Sequence, residues 1–130
     1  MWTFDFTVLT MAPDGAWGTA TDPRVNRAID LAIRNCKAMS GAALGCGAYQ
    51  TIVRGGWSLG IRCGRDNIIT ADRDLAEAER RARKREADLR ELYVSNMPPC
   101  VRVVTVDPNG NIVVPQVPSV EYSGQTPALR

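Results

Sequence analysis

Hydrophobic residues along this chain recur with two periods, and the switches between them mark out its elements. Residues 1–14 read as an extended lead-in: Phe4, Phe6 and Val8 alternate with polar positions before a turn at Pro13-Asp14-Gly15. Residues 16–21, containing Trp17, read as a short strand. The first helix is expected to be capped by Asp22, with Pro23 at its first position, where a missing N–H costs nothing. Val25, Ala28, Ile29, Ala32, Ile33 and Cys36 then form one apolar stripe, and Ser40-Gly41 supplies the stop.

Residues 46–54 and 57–63 read as two strands joined at Gly55-Gly56. In the second of these, Trp57, Leu59, Ile61 and Cys63 share one face and Ser58, Gly60 and Arg62 the other, which predicts one buried and one more polar side. Cys36 and Cys63 are therefore both expected in the core. A long helix follows over residues 72–93, capped by Asp72 or Thr70. Its stripe of Leu75, Ala78, Ala82, Leu89 and Leu92 is narrow, and Met97-Pro98-Pro99 ends it. Residues 101–106 and 111–114 are β-rich runs on either side of Asp107-Pro108-Asn109-Gly110, a strong hairpin turn signal.

Strand, helix, strand, strand, helix, strand is the element order of the ferredoxin-like split βαβ (βαββαβ) sandwich. The expected fold is thus α+β, with two helices on one face of a single antiparallel sheet and an extra C-terminal hairpin strand. It occupies residues 15–114 as one domain, followed by a Pro-containing flexible tail over 115–130. The order also divides into two halves. Gly15-Ala16-Trp17-Gly18 opens one and Gly56-Trp57-Ser58 the other, and each runs through a helix to a strand that begins at a cysteine, Cys46 or Cys100.

These motifs resemble the bacterial family catalogued as domain of unknown function 4189, whose members are small and mostly exported. The match runs through Ala16-Trp17-Gly18-Thr19-Ala20, the helix segment from Ala28 to Cys36, and Gly45-Cys46. The second half departs from the pattern, since Tyr93 stands where a helix-end cysteine is expected. The resemblance implies export and disulfides. It brings no activity and no catalytic residues.

Composition narrows the chemistry. A chain of 130 residues supports a single hydrophobic core, and a net charge of +2 is too small to demand a polyanionic partner. There is no histidine, which removes imidazole from catalysis and from metal ligation. The four cysteines Cys36, Cys46, Cys63 and Cys100 include no C-x-x-C pair, so neither a zinc knuckle nor a thioredoxin-like motif is present. Structural cysteines are the expectation, and four of them admit three pairings. The expected topology sets Cys36, Cys46 and Cys63 at one edge of the sheet and Cys100 at the other, about 17–20 Å away. A disulfide requires Cα atoms within about 7 Å, so a bridge to Cys100 would contradict that strand order.

The segment Arg80, Arg81, Arg83, Lys84 and Arg85 is the one obvious basic cluster. Residues 73–91 nevertheless carry seven basic and six acidic side chains, and Glu77–Arg81, Glu79–Arg83 and Glu86–Arg90 stand at the favourable i,i+4 spacing. The expectation is a self-paired, solvated face; nucleic-acid binding through these residues is the alternative. Asp66, Asp72 and Asp74 are the candidates for a small carboxylate enzyme, although capping accounts for the last two. Tyr49 is the one aromatic expected on an open sheet face. Trp17 and Trp57 are expected to plug the core at matching places in the two halves.

The N-terminal dozen residues lack a basic start and carry Asp5, so they do not form a signal peptide, and no apolar run suffices to span a membrane. The expectation is a non-enzymatic protein-binding or structural module, periplasmic or secreted with a leader outside this chain. It implies another protein as partner, with no cofactor, no metal and no membrane insertion. The open sheet face, the terminal hairpin and an exposed strand edge are its expected contact surfaces. A cytoplasmic protein with reduced thiols is the alternative.

Overall fold

A computed structural model describes residues 5–39 and 44–113. The expected helix stop at Ser40-Gly41, the tail over 115–130, Phe4 and Val114 lie outside the described residues. The fold is α+β, with six strands and two helices among the described residues: β1 (Phe6–Met11), β2 (Trp17–Asp22), α1 (Val25–Met39), β3 (Gln50–Arg54), β4 (Trp57–Cys63), β5 (Asp66–Asp72), α2 (Leu75–Leu92) and β6 (Val101–Val106).

The strands form two antiparallel sheets rather than one, ordered β2-β1-β3 and β5-β4-β6. The two orders correspond strand for strand. In each half the first strand is central, the second lies at one edge and the third at the other. The chain is therefore a tandem of two ββαβ units joined at Gly55-Gly56. This corrects the phase of the repeat read from sequence. Trp17 opens the second strand of its unit whereas Trp57 opens the first, so the two tryptophans are not equivalent, and both are only half-buried.

Two strands account for the difference from the expected single sheet. The segment read as a lead-in supplies β1, the centre of the first sheet, where Val8 and Leu9 are fully buried. The segment between Cys63 and the second helix supplies β5 after a tight turn at Gly64-Arg65. Its Ile68 and Thr70 face α2, while Ile69 faces the first sheet. The sequence pattern reads one strand as a lead-in and the other as the approach to the second helix. Removing both leaves the six-element order that suggested the split βαβ sandwich.

The helices cover opposite outer faces, not one shared face. Helix α1 lies on β2 and β1, with Ala28 and Ala32 packed on Val8. Helix α2 lies on β5 and β4, with Ala78 and Ala82 packed on Leu59, Ile61 and Ile68. Between the sheets, Leu9 and Met11 of β1 meet Ile69, Val104 and Val106. The layers run helix, sheet, sheet, helix, a sandwich whose inner faces bury each other. The side of β4 expected to be polar is consequently buried: Ser58 and Gly60 face the other sheet. Among the described residues the second sheet has α2 on one face and the first sheet on the other, in place of the expected open face.

Small residues set the spacing of these layers. A Cβ on Gly18 would sit 2.1 Å from the carbonyl oxygen of Ala32 and 2.2 Å from the amide nitrogen of Cys36. Helix α1 thus rests directly on the backbone of β2. At the sheet–sheet contact, Gly60 admits Val104, Leu9 and Met11.

Element ends differ from expectation for local reasons. The strand expected from residue 46 begins only at Gln50, because Gly45 and Gly47 both take positive φ (88° and 92°) and turn the chain. Asp22 accepts from the amide of Arg24, and α1 starts at Val25 instead of Pro23. The N-cap of α2 is Asp74, which accepts from Ala76, while Asp72 ends β5 and accepts from the amide of Asp74. Thr70, the other expected cap, belongs to β5 and donates to the Ala78 carbonyl. The terminal hairpin forms its turn, with Asp107 accepting from Asn109 and Asn111, but among the described residues its return arm is a single bridge, Val106 to Ile112.

Candidate functional site

The cysteines form two bridges. Cys36 joins Cys46, Cα atoms 5.9 Å apart, and ties the last turns of α1 to the loop that enters β3. Cys63 joins Cys100, Cα atoms 4.1 Å apart. The β4–β6 register pairs Ile61 with Arg102 and Arg62 with Val101, so its next step sets Cys63 against Cys100. The sequence reading placed Cys100 at the far edge; the interposed strand β5 makes β6 the neighbour of β4 and brings the cysteines together. Cys36, Cys63 and Cys100 are fully buried.

Around the second bridge the charges are structural. Glu86 is only 3% exposed and pairs with Arg90 Nε at 3.1 Å. Arg90 also donates to the carbonyls of Met97 and Pro98 and lies 3.9 Å from Cys100 Sγ. One guanidinium thereby fastens α2 to the loop that carries Cys100. Glu79 pairs with Arg102 on β6 at 2.7 Å, because a strand runs beside that helix face. That pairing is non-local, and i,i+4 spacing gave no signal for it.

Arg80, Arg81, Lys84 and Arg85 line a shallow hollow of about 300 Å³ on the outer side of α2, together with Asp88. Arg83 is exposed and does not line it. Most of this charge is internally matched. Arg80 donates to Glu77, Arg81 lies 3.6 Å from both Asp72 and Glu77, and Lys84 contacts Asp88 at 3.2 Å. The hydrogen bond from Arg80 holds the Glu77 carboxyl below its ordinary value, and the same contact raises Arg80. A second cleft, of about 540 Å³, is lined by Gly64, Arg65, Asp66, Val94, Asn96 and Pro98. Asp66 is the one candidate catalytic carboxylate on it; Asp74 caps α2, and Asp72 accepts from the Asp74 amide and faces Arg81.

Tyr49 precedes β3 and is 42% exposed; its carbonyl accepts from Thr10 Oγ1 and from the Met11 amide. That last bond fixes the phase of the β1–β3 ladder. In an antiparallel pair, hydrogen-bonded and non-bonded residue pairs alternate. Thr51 and Val53 therefore turn their backbone groups to β1, while Gln50, Ile52 and Arg54 turn theirs to the side of β3 away from β1. Ile52 also lies on the outer face beyond the reach of α1 and is 44% exposed.

Other edges are occupied. On β2, the Thr19 carbonyl accepts from Asn35, the Trp17 amide lies 3.4 Å from Met39 Sδ, and Gly110 of the hairpin turn closes on Thr21. On β6, the Thr105 carbonyl accepts from Val113. Sequence reading missed Gln50, Ile52 and Arg54 as a surface. The Gln-Thr-Ile-Val-Arg alternation is visible, but which side of the strand faces β1 depends on a partner remote in sequence.

Among the described residues no group of three or more histidine, cysteine, aspartate or glutamate side chains could hold a metal ion, and no helix is long and apolar enough to cross a membrane. No family model, no curated protein and no solved structure matches this chain.

Proposed function

We propose that the protein is a non-enzymatic binding or structural module that works in an oxidising, extracytoplasmic compartment, periplasmic or secreted. The observation that carries this reading is one disulfide in each ββαβ unit, with three of the four cysteines fully buried. Bridges of this kind persist outside the reducing cytosol. The same pairing of a helix-end cysteine with one just before a strand, Cys36 with Cys46, supports placing the chain with the domain of unknown function 4189 proteins that it resembles. Stapled units on opposite sides of a closed sandwich make a rigid platform whose contacts are made by edges and outer faces. The nucleic-acid reading gains no support from α2, since carboxylates pair three of the four cations around its hollow.

The test is thiol trapping in the native host, with fractionation and an alkylating reagent added before and after denaturation. The expected result is protein in the envelope or medium with no thiol that reacts in denaturant until a reductant is added. Four reactive thiols on protein recovered from the cytosol would overturn the proposal.

A further inference from the structure

We infer that the cleft beside the Cys63–Cys100 bridge binds a small zwitterion with an apolar side chain, of the class of free amino acids and short peptides. This rests on the reading of the protein as a binding module but not on its compartment. Two walls make the cleft. The β4–β5 turn supplies Gly64, Arg65 and Asp66, and the α2–β6 connection supplies Val94, Asn96 and Pro98. Its volume of about 540 Å³ lies within the range of small-molecule sites, about 300–1,000 Å³.

Both walls are fixed before any ligand arrives. Gly64 follows Cys63 and Pro98 stands two residues before Cys100, so the disulfide ties one wall to the other. Gly64 takes a φ of 66°, and a Cβ there would stand 2.8 Å from both Cδ and Cγ of Pro98, so the walls touch at this point. On the second wall Arg90 donates to the carbonyls of Met97 and Pro98, and the Met97 amide donates to the Val94 carbonyl at 3.2 Å. The Met97 side chain is itself buried in the core. A ligand entering here meets groups already in place, and little ordering is left to oppose binding.

Charge selects the ligand class. Among the described residues neither the Arg65 guanidinium nor the Asp66 carboxylate has a hydrogen bond or ion pair of its own, unlike three of the four cations around the α2 hollow. A simple anion drawn to Arg65 would also face Asp66, and a simple cation drawn to Asp66 would face Arg65. A molecule with a carboxylate and an ammonium satisfies the two together. Asn96, on the opposite wall, carries an amide that can donate to the carboxylate or accept from the ammonium. Half-buried Val94 and the Pro98 ring give the apolar surface that a ligand side chain covers. An uncharged apolar molecule would cover the same carbons but shield both charges from water without pairing either, which is unfavourable.

The experiment is an amide-detected NMR titration of the oxidised full chain with leucine and with the dipeptide Leu-Leu. N-acetyl-leucine and leucine amide, which each keep one of the two charges, are titrated beside them. The series is repeated on Arg65→Met, Asp66→Asn and Asp88→Asn, the last of which alters the α2 hollow instead. Spectra of the ligand-free variants establish that each is folded. The expected result is saturable shifts at Gly64, Arg65 and Asn96 with leucine or Leu-Leu below about 10 mM. Either one-charge analogue, and either cleft variant, should bind at least about tenfold more weakly, with Asp88→Asn unchanged. Tighter binding of leucine would assign the site to free amino acids, and tighter binding of Leu-Leu to peptides. No shift with either zwitterion up to about 10 mM overturns the inference. So does binding that the one-charge analogues share, or that both cleft variants leave intact. Absence of binding by a chain whose thiols are fully oxidised in the envelope would remove the ligand and leave the proposed function standing.

Discussion

Cys63, the last residue of β4, stands directly opposite Cys100, the residue that precedes β6, so the second disulfide is a covalent rung between hydrogen-bonded neighbours. The first disulfide has a different place in its unit, joining the end of α1 to the loop before β3. The tandem repeat is thus exact in strand order but not in its staples.

Stability should register that difference. In the chain-entropy account a bridge stabilises according to the loop it closes. The Cys63–Cys100 bridge spans 37 positions and the Cys36–Cys46 bridge spans 10. Replacing both members of the longer bridge with alanine should lower unfolding free energy by about 4 kcal/mol, against about 3 kcal/mol for the shorter. Urea unfolding of the two double variants checks the order. Equal losses, or a larger loss for Cys36–Cys46, would contradict it.

Much of the fold was legible in the sequence because both helices and β4 advertise themselves locally. The stripe from Val25 to Cys36 and the alternation from Trp57 to Cys63 fall within elements of the right kind. What was not legible was contact at a distance. Phe6–Met11 has a strand pattern, but nothing local says that strands pair along both its sides. Asp66–Asp72 carries an aspartate at each end and an asparagine, residues associated with turns and caps, and that polarity concealed a strand. The orientation of Gln50, Ile52 and Arg54 was hidden for the same reason, since it is defined by the pairing of β3 with β1.

Gly18 and Gly60 should respond unequally to a single methyl group. At Gly18 an added Cβ meets backbone atoms of Ala32 and Cys36, with the Cys36 Cα also at 2.8 Å. Helix α1 would have to lift from β2 while tethered by the Cys36–Cys46 bridge. At Gly60 the nearest atoms belong to side chains, Val104 Cγ1 at 2.6 Å and Met11 Sδ at 3.2 Å, so the strain falls on side-chain packing and not on a helix backbone. Gly18→Ala should cost about 3 kcal/mol or more and Gly60→Ala about 1 kcal/mol, the two ends of the overpacking range. Thermal melts of the two variants test the ranking, which a smaller shift for Gly18→Ala would reverse.

Arg90 should be hard to remove by itself. Arg90→Met deletes the donor to the Met97 and Pro98 carbonyls and takes from Glu86, only 3% exposed, its Arg90 ion pair. Loss of one partner of a buried pair typically costs about 3–5 kcal/mol, and about 3 kcal/mol is expected here because Arg90 keeps some solvent access. The double variant Glu86→Leu with Arg90→Met should recover part of that loss. Chemical denaturation of the wild type, both single variants and the double variant supplies the coupling, and strictly additive losses would count against the pair.

Glu77 offers a pH test confined to the outer face of α2. Its carboxyl is lowered chiefly by the hydrogen bond from Arg80; desolvation, the next largest effect, opposes this, and the Arg80 and Arg81 charges add to the lowering. A carboxylate whose folded value lies below its unfolded value stabilises the fold above the unfolded value. That contribution disappears as pH falls through the folded value. The contribution is small at so exposed a site, and the informative measurement is the titration itself. Carboxyl-detected NMR should show Glu77 titrating below an ordinary glutamate in the wild type and moving upward in Arg80→Met. Raising salt should move the wild-type value in the same direction, because screening weakens both cations together. A Glu77 value unchanged by Arg80→Met would show that the pair does not hold in solution. Arg80 would then be available to outside anions, and the self-matched charge on this helix would no longer weigh against a polyanionic ligand.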